Sequence, residues 1–136
     1  MIEASGASLK RQGEAAGSPV CNVETSIFDW FKPTGADIMT EVDAWDVVAL
    51  ADVMYESRFV KPVSWVVAQL LKNNQGCTAV ITDPQRDSLP TFIDELKKLG
   101  LTVDAQKTAI QTLVADVGGE LQKEPHVITI LTITSA

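Results

Sequence analysis

The chain has 136 residues, of which 46% are hydrophobic and 21% are charged, and its formal net charge at pH 7 is -7. This length suits one domain, residues 1–136, with a single buried core, and the composition excludes a disordered or fibrous protein. The acidic balance argues against a nucleic-acid-binding protein, because such proteins display clustered Lys and Arg. It fits a basic protein partner or a cationic substrate, although plain solubility is the reading we favour.

Neither a membrane protein nor a secreted one is predicted. No apolar run reaches the roughly 18 residues that a membrane span needs, and residues 1–17 lack the apolar region of a signal peptide. We therefore expect a cytoplasmic protein. Cys21 and Cys77 each lie in an apolar segment, which predicts two buried free thiols rather than a disulfide. Because the chain has one histidine, His126, we expect no zinc site.

The first third of the chain gives weak structural signals. Residues 1–13 are compatible with a short polar helix, which the Gly17-Ser18-Pro19 breaker would end. Residues 20–28 alternate between apolar and polar side chains, which predicts a half-exposed strand at an edge of a sheet. Residues 31–44 have no clear period, so they are expected to form a surface loop with a helical turn.

The middle of the chain alternates between strands and helices. Val47–Ala51 is an unbroken apolar run, typical of a central parallel strand with both faces covered. A helix follows, with apolar residues at helical spacing, Pro62 in its first turn and Gly76 at its end. Residues 77–82 predict a second strand, and a second amphipathic helix ends at Gly100. The apolar positions of the two helices are Val63, Val66, Val67, Leu70 and Leu71, then Leu89, Phe92, Ile93, Leu96 and Leu99.

The last third is rich in β-forming residues. Residues 102–115 and 126–134 are two such stretches, and Gly118, Gly119 and Pro125 lie between them, which predicts an antiparallel hairpin. The sequence thus predicts an α/β fold, in which parallel strands joined by crossover helices are followed by that hairpin.

Three predicted strands are each followed by an aspartate. The segments are Asp29-Trp30, Asp52-Val53-Met54-Tyr55 and Asp83-Pro84-Gln85-Arg86. Ligands of open parallel sheets bind beyond the carboxyl ends of the strands, so these side chains are candidate site residues. The alternative for any single one is a turn-forming or helix-capping aspartate.

In this order the segments resemble those of the seven-stranded Rossmann-like S-adenosylmethionine-dependent methyltransferases. The likeness is to the branch of protein-lysine and small-amine N-methyltransferases, where a DW pair, an ADVxY segment with a D-x-x-Y motif, and a DPxR segment follow the third, fourth and fifth strands. It covers nearly the whole chain as the C-terminal portion of that domain. It implies a partial Rossmann-like methyltransferase sheet ending in the hairpin.

The resemblance also implies roles for individual residues. Asp29 would accept a hydrogen bond from the adenine amino group of S-adenosylmethionine, Trp30 would pack near the ring, and Ala51 would contact the cofactor. Asp52 and Tyr55 would line the pocket of the methyl acceptor, a protein lysine or similar amine. There Asp52 would attract the amine and assist its deprotonation, and Tyr55 would hold it through its ring or hydroxyl.

Other readings of three of these residues stay open. Trp30 fits a core aromatic equally well, and Tyr55 fits a packing residue at a helix start. For Arg86 we favour a local cap or salt bridge over substrate contact.

The chain departs from the family at its N-terminus. The glycine-rich cofactor loop is not found, since Gly6, Gly13 and Gly17 follow no apolar strand. The expected function is therefore that of a methyltransferase fragment, weak or inactive alone, with a partial cofactor site. The alternative is a non-catalytic interaction module, and a receiver-like phosphoacceptor is less favoured. The family's sheet would leave Val47–Ala51 at an exposed edge, so we expect this strand to pair with a second chain, as in a homo-oligomer, or with residues 20–28.

Overall fold

The structure, a computed structural model, describes Gly17, residues 22–115 and residues 118–136. Within these residues the chain forms one four-stranded sheet with the strand order β1-β2-β4-β3. The predicted helix at residues 1–13 and the predicted burial of Cys21 lie outside the described residues. The α/β fold with a closing hairpin is confirmed.

The parallel part of the sheet consists of two strands joined by a helix. Strand β1 (Val47–Ala51) pairs in parallel with β2 (Thr78–Asp83), in the register Val47 to Thr78. A 3₁₀ turn (Ser57–Phe59) and helix α2 (Val60–Asn73) connect them. A four-residue helix, α1 (Asp37–Thr40), precedes β1 and supplies the helical turn expected in residues 31–44.

Helix α2 and the next helix, α3 (Leu89–Lys98), form where the apolar spacing predicts them. Apolar residues recur at every third or fourth position, so each helix has an apolar face that is buried and a polar face that is exposed. Prolines stand in the first turn of both, where a backbone N–H has no helical partner. Gly100 follows α3 with a φ of 82°, a left-handed conformation that costs glycine little and lets the chain turn into the sheet.

Both helices pack on one face of the sheet and share a single core with it. Residues alternate in direction along a strand, so β2 and β4 each send every second side chain into this core. The fully buried members are Met54, Val63, Val67, Leu71, Ala79, Ile81, Phe92, Leu96, Leu131 and Ile133.

The hairpin consists of β3 (Leu101–Ala115) and β4 (Leu121–Ser135), paired along their whole length. Strand β4 also runs antiparallel to β2, but only from Thr129, opposite Asp83, to Thr134. Residues 121–128 and their partners in β3 therefore extend about 27 Å past the carboxyl end of β2. We call this extension the hairpin arm.

The turn of the hairpin is shorter than predicted. Pro125 lies inside β4, opposite Gln111, rather than in the connection. This position lies beyond the part of β4 that pairs with β2, so the missing N–H of proline removes no bond to β2.

Two sequence-based predictions about strands are wrong. Residues 22–28, the described part of the predicted strand 20–28, have no regular secondary structure, because alternating side chains form a strand only where a neighbouring strand pairs with the backbone. It follows that β1 is not paired with this segment. Nor is β1 a central strand covered on both faces: among the described residues it forms an edge of the sheet, and its burial alternates between exposed and half-buried.

Candidate functional site

The carboxyl ends of β1 and β2 lie side by side and carry two of the three predicted segments. The strands are parallel, and the N–H of Asp52 donates to the carbonyl oxygen of Thr82 at 2.9 Å. Asp52 and Gln85 both adopt positive φ, at 48° and 69°. Left-handed backbone is uncommon outside glycine and often marks functional turns. The two strand ends are thus held in defined turns that point polar side chains towards the same edge.

Asp52 is held by Arg86 through a bidentate ion pair. The Arg86 Nε donates to Asp52 Oδ1 at 2.9 Å, and Nη2 donates to Oδ2 at 2.7 Å. These hydrogen bonds, with the guanidinium charge, hold the pKa of the Asp52 carboxyl below its ordinary value, against a smaller opposing effect of desolvation. Arg86 thus forms a salt bridge, but not the local one expected, because its partner lies 34 residues earlier in the sequence. Both side chains remain more than 40% exposed, so another cation can reach this carboxylate.

Asp83 is the buried acid of the site. It is fully buried, and its Oδ1 accepts the N–H of Arg86 at 2.7 Å, which fixes the turn that presents the Arg86 side chain to Asp52. Its Oδ2 is buried and has no hydrogen-bond partner among the described residues. The next turn residue, Gln85, donates through Nε2 to Thr129 Oγ1 and so ties this turn to β4.

Tyr55 stands beside the segment that carries Asp29. Its ring packs on Phe59 with 5.0 Å between centroids, and Phe59 in turn packs on Phe31 at 5.3 Å. We call Phe31, Tyr55 and Phe59 the aromatic cluster. The guanidinium carbon of Arg58 lies 5.1 Å from the centroid of Phe59, within cation–π range. The cluster brings two predicted segments together, and its Phe31 and Phe59 were not among the sequence-based candidates.

Tyr55 is 56% exposed, so one part of its ring faces solvent while another packs on Phe59. The contact with Phe59 fits the packing reading of Tyr55, and its acceptor role stays a prediction.

Asp29 acts as a turn former in the structure. Its Oδ1 accepts the N–H of Phe31 at 2.9 Å, the local turn given as the alternative for such aspartates. Trp30 is half-buried against the core and meets Phe28 edge to face at 5.1 Å, as a core aromatic would. The Asp29 side chain is exposed, and only one of its two carboxylate oxygens accepts the hydrogen bond of the turn.

A cleft of about 340 Å³ opens at the carboxyl edge, between the strand ends and the hairpin arm. Its size lies at the lower end of the range of small-molecule sites. Ala51 lies in this cleft, whereas Trp30 lines a different cleft beside β1. The structure therefore does not bring the predicted cofactor residues Trp30 and Ala51 into one pocket. The residues lining the carboxyl-edge cleft are Ala51, Asp52, Thr82, Asp83, Pro84, Ile110 and Ile128.

Asn74 positions the start of β1 and was missed by sequence reasoning. It is fully buried just after α2, and its Oδ1 accepts the N–H groups of Ala44 and Trp45 at 2.7 and 3.0 Å. Its Nδ2 donates to the carbonyl oxygen of Leu70 at 2.8 Å. The sequence does show an asparagine just before Gly76, where the helix is predicted to end. It does not show that this side chain bonds to backbone groups some 30 residues earlier.

Two general features concern the described residues alone. They contain no group of three or more His, Cys, Asp or Glu side chains that could hold a metal ion. Among the helices of this part of the chain, none is long and apolar enough to cross a membrane.

Comparison by sequence gives no relatives. The chain matches no model of a known protein family, and no curated protein sequence matches it.

Comparison by structure gives clear neighbours. A precorrin-6y C5,15-methyltransferase from Geobacter metallireducens superposes with a TM-score of 0.54 at 15% identity, over 93% of this chain and 57% of that one. A precorrin 8w decarboxylase from Methanobacterium thermoautotrophicum gives 0.57 at 11% identity, over 96% and 64%. A Thermoplasma acidophilum protein assigned as a methyltransferase gives 0.52 at 15% identity, over 92% and 50%.

These similarities concern the fold. The chain spans between half and about two thirds of the length of those three proteins, and almost all of it takes part in each superposition. The turns after β1 and β2 and the closing hairpin thus lie within a known architecture. The chain has the partial Rossmann-like methyltransferase fold that its sequence predicts.

Proposed function

We propose that this chain is the acceptor-binding part of an S-adenosylmethionine-dependent N-methyltransferase whose acceptor is a protein lysine or a similar amine. The observation that carries the proposal is the convergence of three segments at one edge of the sheet. The Asp52–Arg86 ion pair joins the ends of β1 and β2, and the aromatic cluster joins the Asp29 segment to Tyr55. Two of the three neighbouring folds bear the name methyltransferase, which supports the reaction class.

On the acceptor side, Asp52 acts by charge. Its lowered pKa makes it a poor proton acceptor near neutral pH, so it attracts an ammonium group rather than taking its proton. The incoming cation competes with Arg86 for the carboxylate. Tyr55, three residues later, has an exposed ring suited to contact a cation but does not line the cleft that holds Asp52. This refines the predicted role of Asp52, since the amine must lose its proton elsewhere, for instance to water.

On the cofactor side, the chain's residues fit only part of the ligand. The second carboxylate oxygen of Asp29 is available to accept a hydrogen bond from an adenine amino group, and Trp30 offers a ring edge nearby. When bound, S-adenosylmethionine supplies the electrophilic methyl group. Because Trp30 and Ala51 line different clefts, these residues make up one side of a cofactor site. We therefore propose weak binding of the cofactor by this chain.

A non-catalytic interaction module is the second candidate. Among the described residues no strand pairs with the outer edge of β1, which favours the module, because an unpaired edge strand can add a strand from a partner. The pairing of Asp52 with Arg86 also favours it, since the carboxylate already has a counter-ion.

We propose a cytoplasmic setting for either function. Cys77 is a buried free cysteine, and free thiols are typical of reducing compartments.

Titration calorimetry with S-adenosylhomocysteine tests the enzyme proposal. We expect binding in the micromolar to millimolar range, weakened about tenfold in Asp29→Asn, which loses a charge-assisted hydrogen bond. The matched control is Asp94→Asn, the same change at an exposed position of α3, which should leave binding unchanged. If the wild-type chain shows no binding at millimolar ligand, the interaction module is the better conclusion.

Transfer of a radiolabelled methyl group to a lysine-containing peptide tests the acceptor. Asp52→Asn should lower this transfer more than it lowers binding of S-adenosylhomocysteine. An equal loss in both measurements would assign Asp52 to the cofactor instead.

A further inference from the structure

A cleft of about 460 Å³ lies between the first turns of α3 and the β3–β4 hairpin. Its volume falls within the roughly 300 to 1,000 Å³ of small-molecule sites. The turn after β2 closes its remaining side. Among the described residues, it shares no lining residue with the carboxyl-edge cleft or with the cleft beside β1. We call it the α3 cleft.

Most of the surface of the α3 cleft is apolar. The start of α3 provides one wall, and the facing part of β3 provides another. An aliphatic chain that entered the cleft would remove this surface from water, which favours binding. The apolar lining residues are Leu89, Pro90, Ile93 and Ala105.

Lys107 supplies a positive charge to the same cleft. It lies directly opposite Thr129 in the register of β3 with β4, so the two side chains point to the same face of the sheet. Thr129 is 2% exposed, which identifies this face as the one that the helices cover. Within the part of the chain that the structure describes, Lys107 forms no ion pair or hydrogen bond. Its ammonium group is therefore available to an anion.

The N-terminus of α3 adds a partial positive charge to the lining. The unpaired N–H groups of a first helical turn favour a nearby anion. No described side chain caps this end, and its first turn has no acidic residue. The hydroxyl of Ser88, at the N-cap, donates instead to the carbonyl oxygen of Met54 at 2.8 Å.

Two further charged residues line the α3 cleft, and they have opposite signs. Arg86 uses Nε and Nη2 to bind Asp52, which offsets its charge and leaves Nη1 without a described partner. Asp87 is exposed and opposes an anion. Lys107 is therefore the principal cation of the cleft, which differs from the chain as a whole, with its net charge of -7.

We propose that the α3 cleft binds a small amphipathic carboxylate, that is, an aliphatic chain that ends in a carboxylic acid group. The aliphatic chain lies against Leu89, Ile93 and Ala105. The carboxylate binds Lys107 and faces the N-terminus of α3. Because the site uses neither Asp52 nor a methyl donor, it does not depend on the proposed methyl transfer.

The test titrates octanoate into the chain and follows the backbone amides by two-dimensional NMR. We expect saturable binding with a Kd of about 1 mM, and shifts concentrated at Ile93, Ala105 and Lys107. Octanol lacks the charge and acetate lacks the chain, so each should bind at least about tenfold more weakly.

Two charge variants test the cation and the opposing anion. Lys107→Gln should weaken octanoate binding about tenfold, because a charge-assisted hydrogen bond is lost. Its matched control is Lys72→Gln, the same change at an exposed lysine in the last turn of α2, which should bind like the wild type. Asp87→Asn removes the opposing charge and should strengthen binding about threefold.

A third variant tests the apolar part of the cleft. Ala105→Phe fills this space without removing a charge, so binding should be lost although Lys107 is present. Should Ala105→Phe fail to fold, the two charge variants still decide the matter, since Lys107 and Asp87 are exposed.

Three results would overturn the proposal. The first is the absence of octanoate binding at about ten times the expected Kd. The second is equal binding of octanoate and octanol, which would leave an apolar surface that does not recognise an anion. The third is equal binding of octanoate by Lys107→Gln and Lys72→Gln, which would remove Lys107 from the site.

Discussion

Asn74 allows a quantitative test of how the start of β1 is held. Its buried amide makes three hydrogen bonds, two accepted from the half-buried N–H groups of Ala44 and Trp45 and one donated to the buried carbonyl oxygen of Leu70. Asn74→Ala leaves all three backbone partners without this contact. At about 1 kcal/mol for each bond, we expect a loss of about 3 kcal/mol in the free energy of unfolding. That is a large share of the 5 to 15 kcal/mol, roughly, that stabilises a typical domain.

The neighbouring asparagine supplies the matched control. Asn73 donates one hydrogen bond, from Nδ2 to the carbonyl oxygen of Met39 at 2.9 Å, in a half-buried position. Asn73→Ala should therefore cost about 1 kcal/mol or less. Urea unfolding followed by circular dichroism measures both variants, and the midpoint of Asn74→Ala should fall by about 1 to 2 M. If the two variants lose the same stability, the hydrogen bonds of Asn74 do not hold the entry to β1.

Three further predictions concern single residues. Arg86→Gln should raise the pKa of Asp52 towards its ordinary value of 3.8, measured by carbon-detected NMR, and an unchanged pKa would refute the ion pair. Because the pKa of Asp52 is lower in the folded state than in the unfolded state, its ionised carboxylate stabilises the fold at pH values above 3.8. This stabilisation is lost as the pH falls through the pKa of the folded state, so Arg86→Gln should weaken the dependence of the free energy of unfolding on pH in the acid range. In a Cys21→Ser background, Cys77 should react slowly with a disulfide reagent until the chain unfolds, because burial chiefly raises the pKa of its thiol; fast reaction of the native protein would contradict its burial. Gly100→Ala should lower the free energy of unfolding by about 1 kcal/mol, since φ is 82° while space for a Cβ is open, and a neutral effect would argue against the left-handed turn.

The elements that the sequence predicts well are those with a local periodic signal. Helix α2 places Val63, Val67 and Leu71 on one stripe, and this spacing is enough to predict the helix without its surroundings. The same holds for α3 and for β2, whose predicted bounds differ from the observed ones by one residue. Residues 22–28 have a periodic signal as well, but a strand also needs a neighbour in the sheet, and no local pattern can supply that information.

The sequence predicts which residues lie at the candidate site but not which of them contact each other. The rule that ligands bind beyond the carboxyl ends of parallel strands selects Asp52 and Asp83 from their positions alone. The partner of Asp52 is Arg86, 34 residues later, and this pairing follows from the register of β1 with β2. The link between Phe31 and Phe59 depends on tertiary packing of an irregular segment, for which the sequence has no periodic signal.

Strand β1 connects its own outer edge with the carboxyl-edge cleft through a single residue. The backbone N–H and C=O of Ala51 face away from β2, and Ala51 also lines the carboxyl-edge cleft beside Asp52. A substitution at Ala51 would therefore change both surfaces and could not tell them apart. Ala49 lines only the cleft beside β1, and Asp52 only the carboxyl-edge cleft. Because variants at these two residues act on one surface each, a loss of methyl transfer in Asp52→Asn that Ala49→Val does not share would assign the reaction to the carboxyl-edge cleft.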